Sequence, residues 1–201
     1  MNNDKYILII DNQKNKKQFY YFLTEVLDKY NINYLEVNTL NQFYNLKDKL
    51  NNIKGVILSG SNKRLSKNIS YNTFLLNKLA IALNVPVLGI CYGMQFLNFF
   101  DKGTISQLPE FCNQKILINI NQKYKNHKLL KGIKEKFFAE CKNNDFVSQK
   151  GENMKIIATH NDINQITIDD KRKRYGIQFH PELKKSTYPL LFNFIYDICK
   201  Y

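Results

Sequence analysis

The chain has 201 residues, 44% of them hydrophobic, and a formal net charge of +13. That length supports one sizeable core and is short for two domains, so a single domain over 1–201 is expected. No apolar run approaches the roughly 18–20 residues that span a bilayer, and YILII near the N-terminus is too short for a signal-peptide core; a cytoplasmic protein without membrane attachment is expected. The basic residues are dispersed among asparagines, and only KRKR (171–174) is compact, in an apparent turn between two strands. The charge therefore reads as a solvated surface and not as a nucleic-acid-binding face, with a basic face toward an anionic substrate or acidic partner left open. Cys91, Cys112, Cys141 and Cys199 form no CxxC pair and no pattern with His127, His160 and His180, so neither a disulfide framework nor a zinc site is expected.

YILIID (6–11) reads as a buried parallel strand ended by Asp11. Phe19, Phe22, Leu23, Val26, Leu27 and Tyr30 then repeat at helical spacing, predicting a helix over 16–30. NYLEV (33–37) is a second strand, and Leu40, Phe43, Leu46 and Leu50 mark a second helix. GVILS (55–59), a polar loop, a helix near 72–83 and the strand VPVLGI (85–90) complete the alternation. Strands alternating with helices predict an α/β fold, a doubly wound and mostly parallel sheet between two helical layers. The second half differs. KILINI (115–120), KFFAE (136–140), MKIIATH (154–160), NQITID (164–169) and YGIQF (175–179) are separated by short turns, which predicts additional antiparallel strands, with a closing helix near 186–199.

Strand VPVLGI runs into Cys91 and then into YGMQFLNFF, which has helical apolar spacing. GICYG fits G-x-C-x-G, the cysteine form of the nucleophile elbow. A nucleophile on so sharp a turn takes a strained backbone, and Gly89 and Gly93 let strand and helix pass without Cβ clashes. The turn places the sulfur at the carboxyl ends of the strands and at a helix N-terminus, which favours thiolate and directs backbone N–H groups beside it. A thiolate nucleophile also needs a base. In YGIQFHPE (175–182), His180 is followed two residues later by Glu182; in an extended segment the two point the same way, so Glu182 can orient the ring. His127 and His160 lack a nearby carboxylate in sequence and are expected at the surface.

GICYGMQ (89–95) and YGIQFHPE, with VILSG before them, resemble the class I, triad-type glutamine amidotransferases, and most of all the amidotransferase part of GMP synthetases. The resemblance covers about residues 5–199 and implies a flavodoxin-like three-layer fold. It also implies hydrolysis of glutamine to glutamate and ammonia, with Cys91 as nucleophile, His180 as acid and base, and Glu182 orienting His180. The oxyanion hole would combine the Tyr92 N–H with one from the Gly60–Ser61 loop, and Gln95, with Gly89 and Gly93, would lie at the substrate. No cofactor is implied for this chain; ATP and magnesium would belong to a synthetase partner that takes up the ammonia and activates XMP. The chain differs from the family pattern at Ser61, where the family has a second glycine, and at Lys142-Asn143-Asn144-Asp145, where it has Ser-His-Gly-Asp. Those differences leave two other readings on the same fold: a γ-glutamyl or other thiol hydrolase, and a non-catalytic regulatory subunit.

Overall fold

The computed structural model describes residues 5–13 and 19–201. Short segments form β1 (Tyr6–Ile10), β2 (Tyr34–Val37), β3 (Ile53–Leu58), β4 (Val87–Ile90) and β9 (Arg174–Ile177), which lie side by side and parallel. Ile7 through Ile10 are all fully buried, because both faces of this half of the sheet are covered. Burying each such side chain is worth about 1.5–3 kcal/mol, more than the whole range of strand propensities, so coverage and not propensity makes these strands.

The sequence periodicity already separates the two faces. Ile7, Ile9, Ile57, Leu88 and Ile90 pack with Leu23, Val26 and Leu27 of α1 (Phe19–Lys29) and with Leu191 and Phe194 near the C-terminus. Leu8, Ile10, Val56 and Leu58 face the other way, against Phe43 of α2 (Leu40–Tyr44), Leu76 and Ala80 of α3 (Tyr71–Ile81) and Phe96 of α4 (Tyr92–Phe100). The expected three layers are present. The predicted second helix is divided: α2 ends at Tyr44, and Lys47–Asn52 forms a 3-10 helix that keeps Leu46 and Leu50 against the core. The closing helix is also shorter than its pattern suggests, with α5 (Tyr188–Phe192) passing into a π-helical turn over Asn193–Ile198. Residues 16–18 of the predicted first helix lie outside the described residues.

The sheet has nine strands among the described residues, in the order β2-β1-β3-β4-β9-β8-β7-β5-β6. Beyond β9 the pairing is antiparallel, through β8 (Ile163–Asp169), β7 (Lys155–His160), β5 (Thr104–Ile120) and β6 (Lys136–Gln149). KILINI and KFFAE are only the inner parts of β5 and β6, whose outer parts form a long polar ribbon with an irregularity between Gln107 and Cys112. This ribbon corrects the expectation about the cysteines. Its register sets Cys112 opposite Asn143 and Gln114 opposite Cys141, making the two cysteines diagonal neighbours with Cα atoms 6.0 Å apart, and they form a disulfide. A register between segments 29 residues apart cannot be read from cysteine spacing.

KRKR occupies the β8–β9 turn as expected, and its arginines serve the fold. Arg172 pairs with Asp169 and lies 2.7 Å from Asp101, while Arg174 donates to the carbonyls of Ile81 and Val85. His127 and His160 are partly buried, contrary to expectation: His127 Nε2 is 3.0 Å from Asp170, and His160 Nδ1 is 2.9 Å from the Leu117 carbonyl. Among the described residues no helix is long and apolar enough to cross a membrane.

Candidate active site

Two neighbouring parallel strands bring the site together. Ile90 of β4 lies opposite Ile177 of β9, so both strands end at the same level of the sheet. Cys91 follows one strand and His180 the other. The Cys91 N–H donates to the Ile177 carbonyl at 2.7 Å, and the His180 N–H donates to Glu140 of β6 at 3.1 Å, which fixes both backbones.

Cys91 joins β4 directly to α4 with φ 50° and ψ −104°, a conformation that L side chains rarely adopt. Such strain costs on the order of 1–3 kcal/mol and persists only where the surroundings enforce it. The flanking glycines show how. A Cβ on Gly89 would lie 2.3 Å from the Gly93 carbonyl carbon, and one on Gly93 would lie 2.2 Å from the Leu58 carbonyl oxygen. The elbow is folded so tightly that α4 rests on the end of β3. Gly89 and Gly93 are therefore steric requirements of the turn and do not line the cavity. Because the obstacle at Gly93 is backbone, Gly93→Ala is expected to lower stability by about 2 kcal/mol or more, read as a fall in urea midpoint at unchanged slope.

His180 and Glu182 are both buried, and His180 Nδ1 lies 2.7 Å from Glu182 Oε1. The contact is made by a turn and not by the extended chain expected: His180 is extended, but Pro181–Leu183 forms a 3-10 turn that swings Glu182 under the ring. Burial lowers the imidazole's proton affinity, but the Glu182 charge and contacts with Cys91 outweigh it and push the His180 pKa up to about 10. With Nδ1 directed at a carboxylate, Nε2 is the atom left for chemistry at the sulfur.

Gly60 lies against both groups. A Cβ there would be 2.9 Å from His180 Cε1 and 3.6 Å from Cys91 Cβ. The Ser59–Ser61 loop is anchored by a buried network: Asn12 N–H donates to Ser59 Oγ at 3.0 Å, and Ser61 Oγ donates to the Asn12 carbonyl at 2.8 Å and accepts from Lys63 N–H at 3.0 Å. Ser61 is not among the residues with positive φ, so the strain its side chain would suffer in a left-handed conformation does not arise. Its hydroxyl instead ties the loop to Asn12. Tyr92 opens α4, whose first-turn N–H groups have no intrahelical partners, while its phenol is buried away from solvent.

A cavity of about 260 Å³ opens beside the sulfur. Cys91, His180, Gln95 and Ser61 line it, together with the Lys142–Asp145 segment and, unforeseen from sequence, Lys63, Arg64 and Phe111. Asn143 and Asp145 take the inward positions of β6, where alternation would ordinarily place apolar residues. The buried Asp145 carboxylate accepts from Arg64 Nε and a terminal guanidinium nitrogen at 3.0 and 2.6 Å and from Ser66 N–H at 3.0 Å. Gln95 donates to the Asp145 carbonyl at 2.8 Å. A further unforeseen residue is Gln178, fully buried within the QFHPE run, whose amide lies between Gln95 and Cys91. Arg64 stands in a polar loop without periodicity, so only the fold could reveal it. Gln178 carried a signal: a polar side chain in an apolar strand ending at the candidate base.

A family model described as glutamine amidotransferase class-I matches residues 8–198. The chain is 32% identical over 157 residues to the glutamine-hydrolyzing GMP synthase of Clostridium perfringens, covering 76% of this chain and 30% of that protein. With the corresponding enzyme of Spiroplasma kunkelii it shares 34% over 158 residues, covering 76% and 29%. It thus spans under a third of the length of these relatives. Among solved structures, a putative GMP synthase subunit from Thermoplasma acidophilum superposes with TM-score 0.81 at 20% identity, covering 98% of this chain and 94% of that one. A glutamine amidotransferase from Thermotoga maritima gives TM-score 0.71 at 16% identity, covering 96% and 82%. These two likenesses speak to the fold; the family model, matched along nearly the whole chain, assigns the family. The chain belongs to the glutamine amidotransferase class-I family.

Proposed function

We propose that this chain is a glutaminase unit that hydrolyses glutamine to glutamate and ammonia and delivers the ammonia to an ATP-dependent synthetase partner of the GMP-synthetase type. The observation that carries the reading is the strained Cys91 at the start of α4, facing a buried imidazole oriented by Glu182 at 2.7 Å. Cys91 thiolate attacks the side-chain amide carbon, and the oxygen's developing charge is held by the N–H of Tyr92 and one from Gly60–Ser61. The His180 imidazolium gives its proton to the departing nitrogen, the C–N bond breaks, and ammonia leaves a thioester on Cys91. Neutral His180 then takes a proton from water; the hydroxide adds to the thioester, and glutamate departs as the thiolate is restored. Glu182 keeps the ring in one tautomer and stabilises its charged form.

The GMP synthase names of the relatives support a partner of that type. A γ-glutamyl hydrolase is the second reading, favoured by Ser61 and Asn143, both in the cavity wall where the chain differs from the family pattern. The test compares glutamine with γ-glutamyl peptides, each with and without ATP plus a synthetase partner of the GMP-synthetase type. Equal amounts of glutamate and ammonia from glutamine are expected, with slower turnover of the peptides. Preferred turnover of the peptides would favour the hydrolase, and no turnover in any arm would leave a non-catalytic subunit.

A further inference from the structure

Gln178 directly follows β9, fully buried, with its amide between the sulfur and the wall of the cavity. Its Nε2 donates to Cys91 Sγ at 3.7 Å, and its Oε1 accepts from Gln95 Nε2 at 3.3 Å. The orientation of both amides follows from a single backbone atom. The Asp145 carbonyl can only accept, so Gln95, 2.8 Å away, must present its NH₂ there. The second N–H of that NH₂ faces Gln178, which must therefore present oxygen. The remaining NH₂ of Gln178 then points at the sulfur. The relay starts from a fixed point: Asn143 Nδ2 donates to the same carbonyl at 2.9 Å, and Arg64 and Ser66 hold the Asp145 carboxylate.

We infer that Gln178 is a positioning residue for the nucleophile, an N–H donor whose orientation is passed from Asp145 through Gln95 and which favours the thiolate form of Cys91. The inference rests on Cys91 being the nucleophile. The sulfur has a second contact of opposite sense, since the thiol can donate to the Lys142 carbonyl at 3.8 Å, a bond the thiolate cannot make. Gln178 and Lys142 therefore favour opposite protonation states, and of these two contacts the one from Gln178 survives in the form that attacks. The charged groups around the sulfur are His180, with Glu182 behind it, and Lys63, Arg64, Lys142 and Asp145 in the cavity wall. All are retained in the variants that test the idea.

The measurement is the rate of Cys91 alkylation by iodoacetamide against pH, located by peptide mass spectrometry, alongside glutamine kinetics, in wild type, Gln178→Glu and Gln178→Met. Gln178→Glu replaces the donor with a carboxylate and is expected to move the alkylation midpoint up by about one pH unit or more. Gln178→Met matches the volume without a donor and is expected to shift it in the same direction by less. In both variants kcat falls about 10-fold or more with KM little changed, because the donor acts on the sulfur and not on bound substrate. A role in packing alone predicts that Gln178→Met behaves as wild type, and an unchanged midpoint in folded Gln178→Met would overturn the inference, because the carboxylate of Gln178→Glu raises the midpoint by its charge alone. Should the Gln178 variants not fold, Gln95→Glu removes the donor that aligns Gln178 and is expected to raise the midpoint too; an unchanged midpoint there overturns the relay. The two levels of the reading fail differently. A wild-type midpoint near the ordinary thiol value of about 8.5, without glutaminase activity, contradicts Cys91 as nucleophile. A reactive wild-type thiol with unshifted variants overturns only the assignment of Gln178.

Discussion

Cys91→Ala is expected to lower glutamine hydrolysis by about 10⁴-fold or more, because no other thiol lines the cavity and, without attack on the amide carbon, no oxyanion forms for the backbone N–H groups to hold. Both kinetic parameters need measurement: kcat collapses, while glutamine binding, tested by isothermal titration, stays near the wild-type value. Stability supplies an independent check. Cys91 lies at φ 50° and ψ −104°, which alanine tolerates no better than cysteine. Glycine adopts that region freely, so Cys91→Gly is expected to be at least as stable as Cys91→Ala in urea titrations. At a buried site with ordinary dihedrals the order reverses, glycine being about 0.5–1 kcal/mol worse than alanine. A clear deficit for Cys91→Gly would mean that the elbow is unstrained.

Glu182→Gln is expected to reduce kcat by about 10²–10⁴-fold, since the glutamine amide no longer enforces the tautomer or supports the imidazolium. The direction of the pH effects follows from His180. Its pKa rises from 6.5 to about 10 on folding, and Glu182 is the largest cause raising it. The folded protein therefore holds a proton that the unfolded chain gives up between these values. The stabilisation is fully present below about pH 6.5 and is lost as pH rises through about 10. Wild type is expected to be more stable than Glu182→Gln at pH 6, with the gap closing toward pH 10. In the variant only the contacts with Cys91 still oppose burial and the His180 pKa falls, which the ring-proton chemical shift in an NMR titration reads directly. A His180 titration unchanged by Glu182→Gln would remove Glu182 from the orienting role.

How much of this could be read from sequence differs between the two halves of the chain. Ile7–Ile10, Val56–Leu58 and Val87–Ile90 are apolar runs buried on both faces, and such runs announce themselves without tertiary information. The elbow was equally plain, because its steric demands leave a local record: glycine at both positions where a Cβ would meet backbone. The outer ribbon of β5 and β6 left no such record. Its few apolar residues, Ile105, Leu108, Phe111, Phe146 and Val147, do not alternate with polar ones, so the strands read as shorter than they are. The disulfide followed from that missing register. Within the candidate site, Cys91, His180 and Glu182 were found because their spacing is local or their motif is sharp. Arg64 was not, since its role depends on Asp145, 81 residues away, and nothing near Arg64 in sequence marks that partner. Ser61 shows a different limit. A serine in place of glycine suggests strain only if the loop takes a left-handed backbone there, which it does not, and its hydroxyl instead bonds to Asn12.

The central claim is that Cys91 attacks the side-chain carbonyl carbon of glutamine held in the cavity beside it. The most direct test is labelling with a glutamine-analogue electrophile, 6-diazo-5-oxo-norleucine, followed by peptide mass spectrometry with and without excess glutamine. Cys199 serves as an internal control, because it is buried and its burial pushes its thiol pKa up. The predicted result is one adduct per chain, on Cys91, forming more slowly as glutamine is added. An adduct elsewhere, or labelling of Cys91 that glutamine leaves unchanged, would contradict it.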